Sequence, residues 1–428
     1  MLASLSLVAL CLSCGGSETT YTCVTSAGKT TTTTSRSQCN YPPARSTTTY
    51  TYIENRAFIT NYITGVIDIV DTDTDELSTN VIALASGPTF MKSTPDQLTT
   101  LVYNSGSASG AAVYNPAEKL GSTSTFSGTT DTMIPGPSNQ TYYIALRDYV
   151  NSSGPTGAVQ LVNFAIPEVT ATISVAQARW LALSHDGTRL LVMADNSDDI
   201  YVINPLSSVP YAIKLSVPSG TFSRPVDAFF SADDTKAWVL SCGPECGGTT
   251  AGLQEVTLAT ATVDKSISLA AGRAAVRSGD TLYVTGAPSG STANGVVQSV
   301  DMDAMTAGTA VAIGPGTHTY IKYLGGQVLV GGVNCGANSG CLSIWNPANA
   351  TATVTASALG NVTGFDYVTS RKVYYVAEGG NLNIYDLNGK AVTPLSSGML
   401  PNSKFQALDI VGRAWDVLMV PNDNDVSD

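Results

Sequence analysis

The amino-acid sequence predicts an all-β protein, a β-propeller of four-stranded blades, from three observations. The chain has 428 residues, of which 43% are hydrophobic and only 13% charged, so it can bury a large core while Ser, Thr, Asn and Gly supply much of its surface. A short apolar segment recurs at steps of 42 to 48 residues, the spacing of a four-stranded blade. No stretch combines a helical period with capping residues.

The N-terminal segment, residues 1–16, has the character of an export signal. Its apolar run at residues 2–12 suits a signal-peptide core and is too short to span a bilayer. The sequence Leu-Ser-Cys-Gly around Cys14 resembles a bacterial lipobox. The resemblance implies lipidation at Cys14 and an outer membrane lipoprotein, periplasmic or at the cell surface. Ordinary signal cleavage and a structural strand are the alternatives, and either export route ends in an oxidising compartment.

Six cysteines remain once Cys11 and Cys14 are assigned to this segment. They form three close pairs: Cys23 and Cys39, Cys242 and Cys246, Cys335 and Cys341. Proximity favours three local disulfides among the fifteen possible connectivities. Metal binding by Cys242 and Cys246 is the alternative, although no third and fourth ligand lies nearby. A c-type haem is excluded because no Cys-x-x-Cys-His motif occurs.

The next segment, residues 17–50, is rich in threonine between Cys23 and Cys39. It is too small for a core of its own, and a disulfide that closes a loop of this size stabilises by about 3 kcal/mol. We therefore predict a tethering stalk with one stapled hairpin. The propeller follows at residues 51–420, and residues 421–428 form an acidic tail.

The recurring apolar segment defines the blades. It begins at Arg56, Leu98, Thr141, Arg189, Ala237, Thr281, Gln327, Lys372 and Ala414. A strand of alternating apolar and polar residues follows each of the first eight, and an apolar strand rich in small residues precedes most of them. Such small-residue strands suit the crowded position next to a propeller axis.

The ninth segment predicts how the ring closes, because no outer strands follow it. We expect the C-terminal pair of strands, from Phe405 and Ala414, to close the ring against the first blade near residues 52–84. Closure by both ends of the chain removes open sheet edges. This arrangement predicts eight blades, with seven as the alternative.

Residues 180–205, WLALSHDGTRLLVMADNSDDIYVINP, resemble the YVTN type of β-propeller repeat. An inner strand, an Asp-Gly turn, a Tyr-Val-x-Asn-like strand and a Val-x-Val-Ile-Asp strand follow in that order. Residues 59–71 and 373–386 resemble the repeat less closely. The resemblance covers roughly residues 50–420 and implies the fold without an activity, since such propellers serve as binding scaffolds, cofactor-enzyme subunits and lactone hydrolases.

The loops between the second and third strands are the first candidate binding feature. Cys242 and Cys246 fall in this loop of one blade, and Cys335 and Cys341 fall in the same loop of another. These loops gather on one face, where binding sites are often built, and a staple reduces the entropy lost on binding. Protection of long Gly/Ser loops from proteolysis is the alternative explanation.

The starts of the inner strands are the second candidate. Basic or polar residues lie there in five repeats: Arg179, Arg224, Arg273, His318 and Lys404. Together they would ring one mouth of the central channel and attract anions, although the chain has a net charge of -12. The alternative is that they are solvated strand ends.

The sequence gives only a weak indication of a metal or cofactor site. Asp71, Asp73 and Asp75 alternate like the start of a calcium loop, but Glu76 replaces the required Gly and Ile82 replaces the final Glu. A turn between two outer strands explains this run equally well. We predict no cofactor, with calcium as the open alternative.

The function classes follow from charge and histidine content. An acidic chain without a basic block is a poor nucleic-acid binder, and we expect membrane contact only through the lipid anchor. His185 lies in a turn, and no nucleophile context surrounds His318. We therefore lean towards a non-enzymatic scaffold that binds a protein or glycan. The alternatives are a lactone or sugar-acid hydrolase around Arg224, Arg273 and His318, and a structural surface-assembly protein.

Overall fold

The computed structural model describes residues 21–24, 30–33, 49–50, 56–84, 87–104, 109–115, 119–126, 128–151, 156–288, 294–336, 340–355, 360–395, 407–408 and 413–420. Eight antiparallel sheets form a ring of blades, which confirms the predicted β-propeller and its blade number. A short 3-10 turn spans Gly243–Cys246, and the described residues contain no α-helix. None of them forms a helix with the length and apolar character needed to cross a membrane.

The strands of the first four blades are given from the axis outwards. Blade 1 contains Ala414–Val420, Arg56–Asn61, Val66–Asp71 and Glu76–Ala83; blade 2 contains Phe90–Ser93, Thr99–Tyr103, Ser109–Tyr114 and Lys119–Thr125. Blade 3 contains Thr130–Pro135, Thr141–Leu146, Ala158–Asn163 and Glu168–Ser174; blade 4 contains Ala178–Leu183, Leu190–Ala194, Ile200–Ile203 and Ala212–Lys214.

The remaining four blades follow the same order. Blade 5 contains Pro225–Phe230, Lys236–Ser241, Gly252–Thr257 and Thr262–Ser268; blade 6 contains Ala274–Ser278, Thr281–Gly286, Val296–Asp301 and an outer position shared by Thr306–Ala307 and Val311–Ala312. Blade 7 contains Thr317–Leu324, Gln327–Val333, Leu342–Trp345 and Thr353–Val354; blade 8 contains Val362–Val368, Val373–Glu378, Asn381–Asp386 and Ala407–Leu408.

The second strand of each blade explains why the apolar segments recur. All six residues of Arg56–Asn61 and of Val373–Glu378 are buried, because both faces of a second strand pack against neighbouring blades. Such strands are apolar throughout, whereas a half-exposed strand alternates. The buried apolar residues form eight clusters, one in each interface between adjacent blades. The core is therefore distributed around the ring.

The ring closes through the C-terminal strand. Ala414–Val420 pairs antiparallel with Arg56–Asn61 and is the innermost strand of blade 1, whereas Ala407–Leu408 is the outermost strand of blade 8. The expectation that both C-terminal strands join the first blade is thus wrong for the earlier one. An apolar run does not distinguish a first strand from a second strand, because both can be buried on two sides. The sequence therefore predicts the segment from Ala414 as a second strand, and the strand before it as its inner neighbour, whereas that earlier strand completes blade 8.

An ion pair also joins blades 8 and 1. The guanidinium of Arg371 donates to both carboxylate oxygens of Asp75, with Nη2 at 3.0 Å from Oδ2, and to the carbonyl oxygen of Thr72 at 2.7 Å. The hydroxyl of Tyr375 donates to the same carboxylate. Asp75 is completely buried, so its charge depends on partners within the protein, and the backbone N–H of Leu395 adds a further hydrogen bond at 2.7 Å.

The N-terminal segment contains a three-stranded sheet. Tyr21–Val24 pairs antiparallel with Thr30–Thr33 and with Thr49–Tyr50. Cys23 lies in the first strand, whereas Cys14, Cys39, Lys404 and residues 421–428 lie outside the described residues. Lipidation at Cys14 and the Cys23–Cys39 disulfide therefore stay predictions.

Candidate functional site

One end of the ring carries the loops between second and third strands. Within each blade the start of the inner strand pairs with the end of the second strand, as Ala178 does with Ala194 and Pro225 with Ser241. The loop that leaves the second strand therefore opens where the inner strand begins. We call this end of the ring the loop face.

Both described disulfides lie on the loop face. Cys242–Cys246 follows the second strand of blade 5, and Cys335–Cys341 follows the second strand of blade 7. The structure confirms these two local pairings and their equivalent positions in two blades. Disulfides of this kind are typical of an extracytoplasmic protein.

Most inner strands carry a β-bulge near their start. The pairing register shifts there in blades 1, 3, 4, 5, 7 and 8. A bulge leaves one residue unpaired in the ladder and re-aims its side chain. Asp131 and Arg179 are such residues in blades 3 and 4, between Thr130 and Thr132 and between Ala178 and Trp180.

These bulges help to assemble a four-residue charge network between blades 3 and 4. Arg179 Nη1 lies 2.6 Å from Asp195 Oδ1, and Arg147 Nη1 lies 2.9 Å from Asp195 Oδ2. Asp131 is held more loosely, 3.4 Å from Arg147 Nε and 3.7 Å from Arg179 Nε. The guanidinium of Arg179 also lies 4.5 Å from the ring of Trp180, within cation–π range.

The exposure of this network is uneven. The Asp131 and Asp195 side chains are 11% and 13% exposed, whereas those of Arg147 and Arg179 are 37% and 28% exposed. Burial raises the pKa of Asp131, although both arginines oppose the change. Burial also tends to raise the pKa of Asp195, but hydrogen bonds from Arg179 and Arg147 outweigh it, so that the pKa of Asp195 is lowered. The arginines are therefore the groups that a ligand in solvent can reach.

Two more arginines extend this edge into blades 5 and 6. Arg224 precedes the inner strand of blade 5, with Nη1 3.9 Å from Asp198 Oδ1. Arg273 precedes the inner strand of blade 6 and donates from Nη1 to Cys246 Sγ at 2.9 Å. Burial lowers the pKa of Arg273, with Glu245 opposing that effect. We call Arg147, Arg179, Arg224 and Arg273 together the arginine mouth.

His318 is not part of the arginine mouth. It is 1% exposed, and its ring fills the space beside Gly295, where an added Cβ would lie 2.2 Å from the ring Cε1. Burial lowers the pKa of this imidazole. The inner strand of blade 7 is bulged between His318 and Tyr320, and a strict two-residue period cannot anticipate which side chains then face the axis. A ring buried in this way is not accessible at the channel mouth, where His318 was expected beside Arg224 and Arg273.

The acidic run at residues 71–75 is built as a turn. The carboxylate of Asp71 accepts hydrogen bonds from the backbone N–H of Asp73 at 2.9 Å and of Thr74 at 3.3 Å. Asp75 points into the protein and is held by Arg371. Across the described ranges, no group of three or more His, Cys, Asp or Glu side chains is arranged to hold a metal ion.

The interior of the channel contains a second charged group that the sequence did not single out. Lys322 Nζ lies 3.5 Å from Asp366 Oδ2. Asp416 accepts hydrogen bonds from the hydroxyl of Tyr320 at 2.7 Å and from the backbone N–H of Met91 at 2.9 Å. These contacts join the inner strands of blades 1, 2, 7 and 8, and the carboxylates are visible in the sequence as aspartates within apolar inner strands.

Lys92 and Asp227 add to this interior group from blades 2 and 5. Lys92 lies on the inner strand Phe90–Ser93. Desolvation lowers its pKa, and the charge of Asp227 opposes the change. Burial raises the pKa of Asp227 to about 6. The channel is thus polar and contains charges of both signs.

Blade 1 supplies aromatic side chains to the loop face. The rings of Tyr62 and Trp415 lie 5.2 Å apart, and Tyr62 is 38% exposed. The indole Nε1 of Trp415 is buried without a hydrogen-bond partner among the described residues. A buried donor left unpaired is unusual in proteins, and a bound ligand could satisfy it.

Glu378, at the loop-face end of blade 8, gives a pH-dependent prediction. Its carboxylate accepts hydrogen bonds from Tyr385 at 2.5 Å and Asn383 at 3.1 Å, but burial raises its pKa from 4.5 to about 7. Its stabilising contribution is fully present below pH 4.5 and is lost as the pH rises through about 7. The corresponding free energy is about 3 kcal/mol.

We therefore expect Glu378→Gln, which cannot ionise, to become more stable relative to the parent protein as the pH rises from 4.5 to 8. Thermal unfolding across this range measures the difference. The exposed Glu168→Gln is the matched control and should stay within about 0.5 kcal/mol of the parent. A stability difference for Glu378→Gln that does not change with pH would contradict the expectation.

Comparisons with known proteins support the fold alone. No family model and no curated protein matches the chain. Among solved structures, the dihydro-heme d1 dehydrogenase NirN in complex with DHE matches with a TM-score of 0.64 at 10% identity, over 91% of this chain and 78% of that chain. The Dos1 propeller matches with a TM-score of 0.56 at 12% identity, over 80% and 86% of the two chains. The computationally designed Ika8 protein matches at 0.53 and 11% identity, over 73% and 88%.

Proposed function

We propose that this protein is an exported bacterial binding scaffold, anchored to the outer membrane through Cys14, which recognises a protein or glycan at its loop face without catalysing a reaction. The observation that best supports the proposal is the arginine mouth, to which four consecutive blades contribute on the face that carries both described disulfides. The two described disulfides also favour the extracytoplasmic location.

The chemistry of the loop face favours an acidic glycan as the partner. Each guanidinium has five N–H donors, and Arg147 directs Nε and Nη1 towards Asp131 and Asp195, so further donors remain for a carboxylate. Tyr62 and Trp415 offer flat apolar surface on the same face. A glycan that contains uronic acid presents both carboxylates and sugar-ring faces.

The other functions draw less support. A hydrolase at the channel mouth would require Arg224, Arg273 and His318 to act together, but His318 is buried beside Gly295. No contact among the described residues favours assembly through the threonine-rich segment. The likeness to NirN concerns the fold alone.

The proposal predicts that the purified protein binds polygalacturonate but not dextran, and that salt weakens the binding. Arg147→Gln and Arg224→Gln should each weaken binding about tenfold, as expected for the loss of a charge-assisted hydrogen bond. Lys214→Gln is the matched control because Lys214 lies 58% exposed on the outer strand of blade 4. Calorimetry measures each affinity. Equal affinity of all variants, or equal binding of both polysaccharides, would overturn the proposal.

A further inference from the structure

The two described disulfides occupy equivalent loops but differ in their surroundings. Cys335 and Cys341 are only 6% and 7% exposed, and no charged side chain among the described residues hydrogen-bonds to their sulfurs. Cys242 is likewise buried at 1%, but Cys246 is partly exposed. The sulfur of Cys246 also accepts a hydrogen bond from Arg273 Nη1 at 2.9 Å.

The contact between the Arg273 guanidinium and the Cys246 sulfur favours formation of a thiolate at Cys246. The thiolate is the reactive form of cysteine, and an adjacent cation lowers the pKa at which it forms. The same cation attracts an incoming thiolate and stabilises the negative charge shared among the sulfurs during exchange. Burial in apolar surroundings, as at Cys335 and Cys341, has the opposite effect.

We propose that Cys242–Cys246 is a thiol–disulfide exchange site whose reacting sulfur is Cys246 beside Arg273, whereas Cys335–Cys341 is a structural disulfide. This inference goes beyond the proposed scaffold function and does not depend on it. The co-reactant is a low-molecular-weight or protein thiol.

The reaction consists of two exchanges. An external thiolate attacks Cys246 Sγ, the bond between the two cysteines breaks, and the electron pair leaves on Cys242 Sγ, which takes a proton from water. A second thiolate then attacks the external sulfur of the mixed disulfide and releases Cys246 as a thiolate next to Arg273. In total, two thiols become one disulfide, and the protein disulfide becomes a dithiol.

The local backbone allows both approach and opening. Cys246 ends the 3-10 turn Gly243–Cys246, and a Cβ added at the next residue, Gly247, would meet no atom within 4 Å. The other side of the loop is anchored independently of the disulfide. The N–H of Cys242 donates to the carbonyl of Arg224, and the N–H of Gly243 donates to that of Ser223, both at 2.9 Å. Reduction should therefore leave the blade folded.

Glu245 provides a second means of testing the charge at this site. Its Oε2 accepts a hydrogen bond from the N–H of Ala287 at 2.8 Å, and its charge acts on Arg273. Removal of this negative charge leaves the positive charge of Arg273 less compensated. Glu245→Gln should therefore accelerate exchange at Cys246.

The test is a timed reduction of the folded protein with glutathione, followed by alkylation with iodoacetamide and peptide mass mapping. We expect Cys242 and Cys246 to be alkylated at least about tenfold faster than Cys335 and Cys341. Arg273→Met should slow the reaction at Cys246 about tenfold, Arg273→Lys should restore most of the rate, and Glu245→Gln should increase it. Circular dichroism checks that each variant is folded.

Equal reduction rates for the two disulfides would overturn the proposal, as would an unchanged rate in Arg273→Met. If Arg273→Met does not fold, Glu245→Gln decides, and an unchanged rate in that variant contradicts the assigned role of the charge. Because no glycan is present in this assay, its outcome is separate from that of the binding test.

Discussion

Replacement of Asp75 by alanine is expected to lower the free energy of unfolding by about 3–5 kcal/mol, the cost of removing one partner from a buried ion pair. The Arg371 side chain is only 16% exposed, and without Asp75 its charge would stay buried between blades 8 and 1. Tyr375 and the N–H of Leu395, at 2.7 Å, would also lose their acceptor. Chemical denaturation measures the change.

The matched control is Asp73→Ala in the same turn. Asp73 is exposed, so its replacement should change the stability by no more than about 0.5 kcal/mol. Replacement of Arg371 by methionine in the Asp75→Ala background should recover part of the loss, because no uncompensated charge then remains. Equal effects of Asp73→Ala and Asp75→Ala would contradict the role assigned to this ion pair.

Termination of the chain after Arg413 is expected to abolish cooperative folding of the propeller. This change removes the innermost strand of blade 1, including Ala414, Val417 and Val420, which are buried against blades 8 and 2. It also removes Asp416, which accepts hydrogen bonds from blades 2 and 7. We expect the loss to exceed the net stability of a typical domain, about 5–15 kcal/mol.

The shortened chain would also expose the strand Arg56–Asn61 as an open edge, which invites aggregation. Calorimetry and gel filtration should therefore show no cooperative transition and a loss of monomer. A chain that ends at Val420 keeps all the described strands and is the control. A shortened chain that melts cooperatively at nearly the parent temperature would refute closure of the ring by this strand.

The blade number could be predicted from the sequence because second strands are buried on both faces. Their apolar segments recur at nearly constant steps, and that periodicity needs no tertiary information. The wrong assignment of the strand before Ala414 to the first blade has the same origin, because an apolar segment is interpreted as a second strand. The segment from Ala414 is as apolar as a second strand, although it is the inner strand of blade 1.

The candidate site could be predicted only in part. Arg179, Arg224 and Arg273 were visible because they precede or begin inner strands. Arg147 follows a second strand instead, and its position beside Asp195 depends on how two blades pack. His318 also lies at the start of an inner strand, but its ring is buried beside Gly295, and that packing depends on contact with the neighbouring blade. Bulges and contacts between blades leave no simple pattern in a single sequence.

Hydrogen exchange with and without polygalacturonate tests the central claim most directly, because it locates the ligand on the protein. The proposed function predicts slower exchange in the loop-face segments that contain Arg147, Arg179 and Arg224. Exchange should be unchanged in the turns at residues 72–75 and 184–188, which lie at the opposite end of the ring. Protection confined to those turns, or protection nowhere, would contradict binding at the loop face.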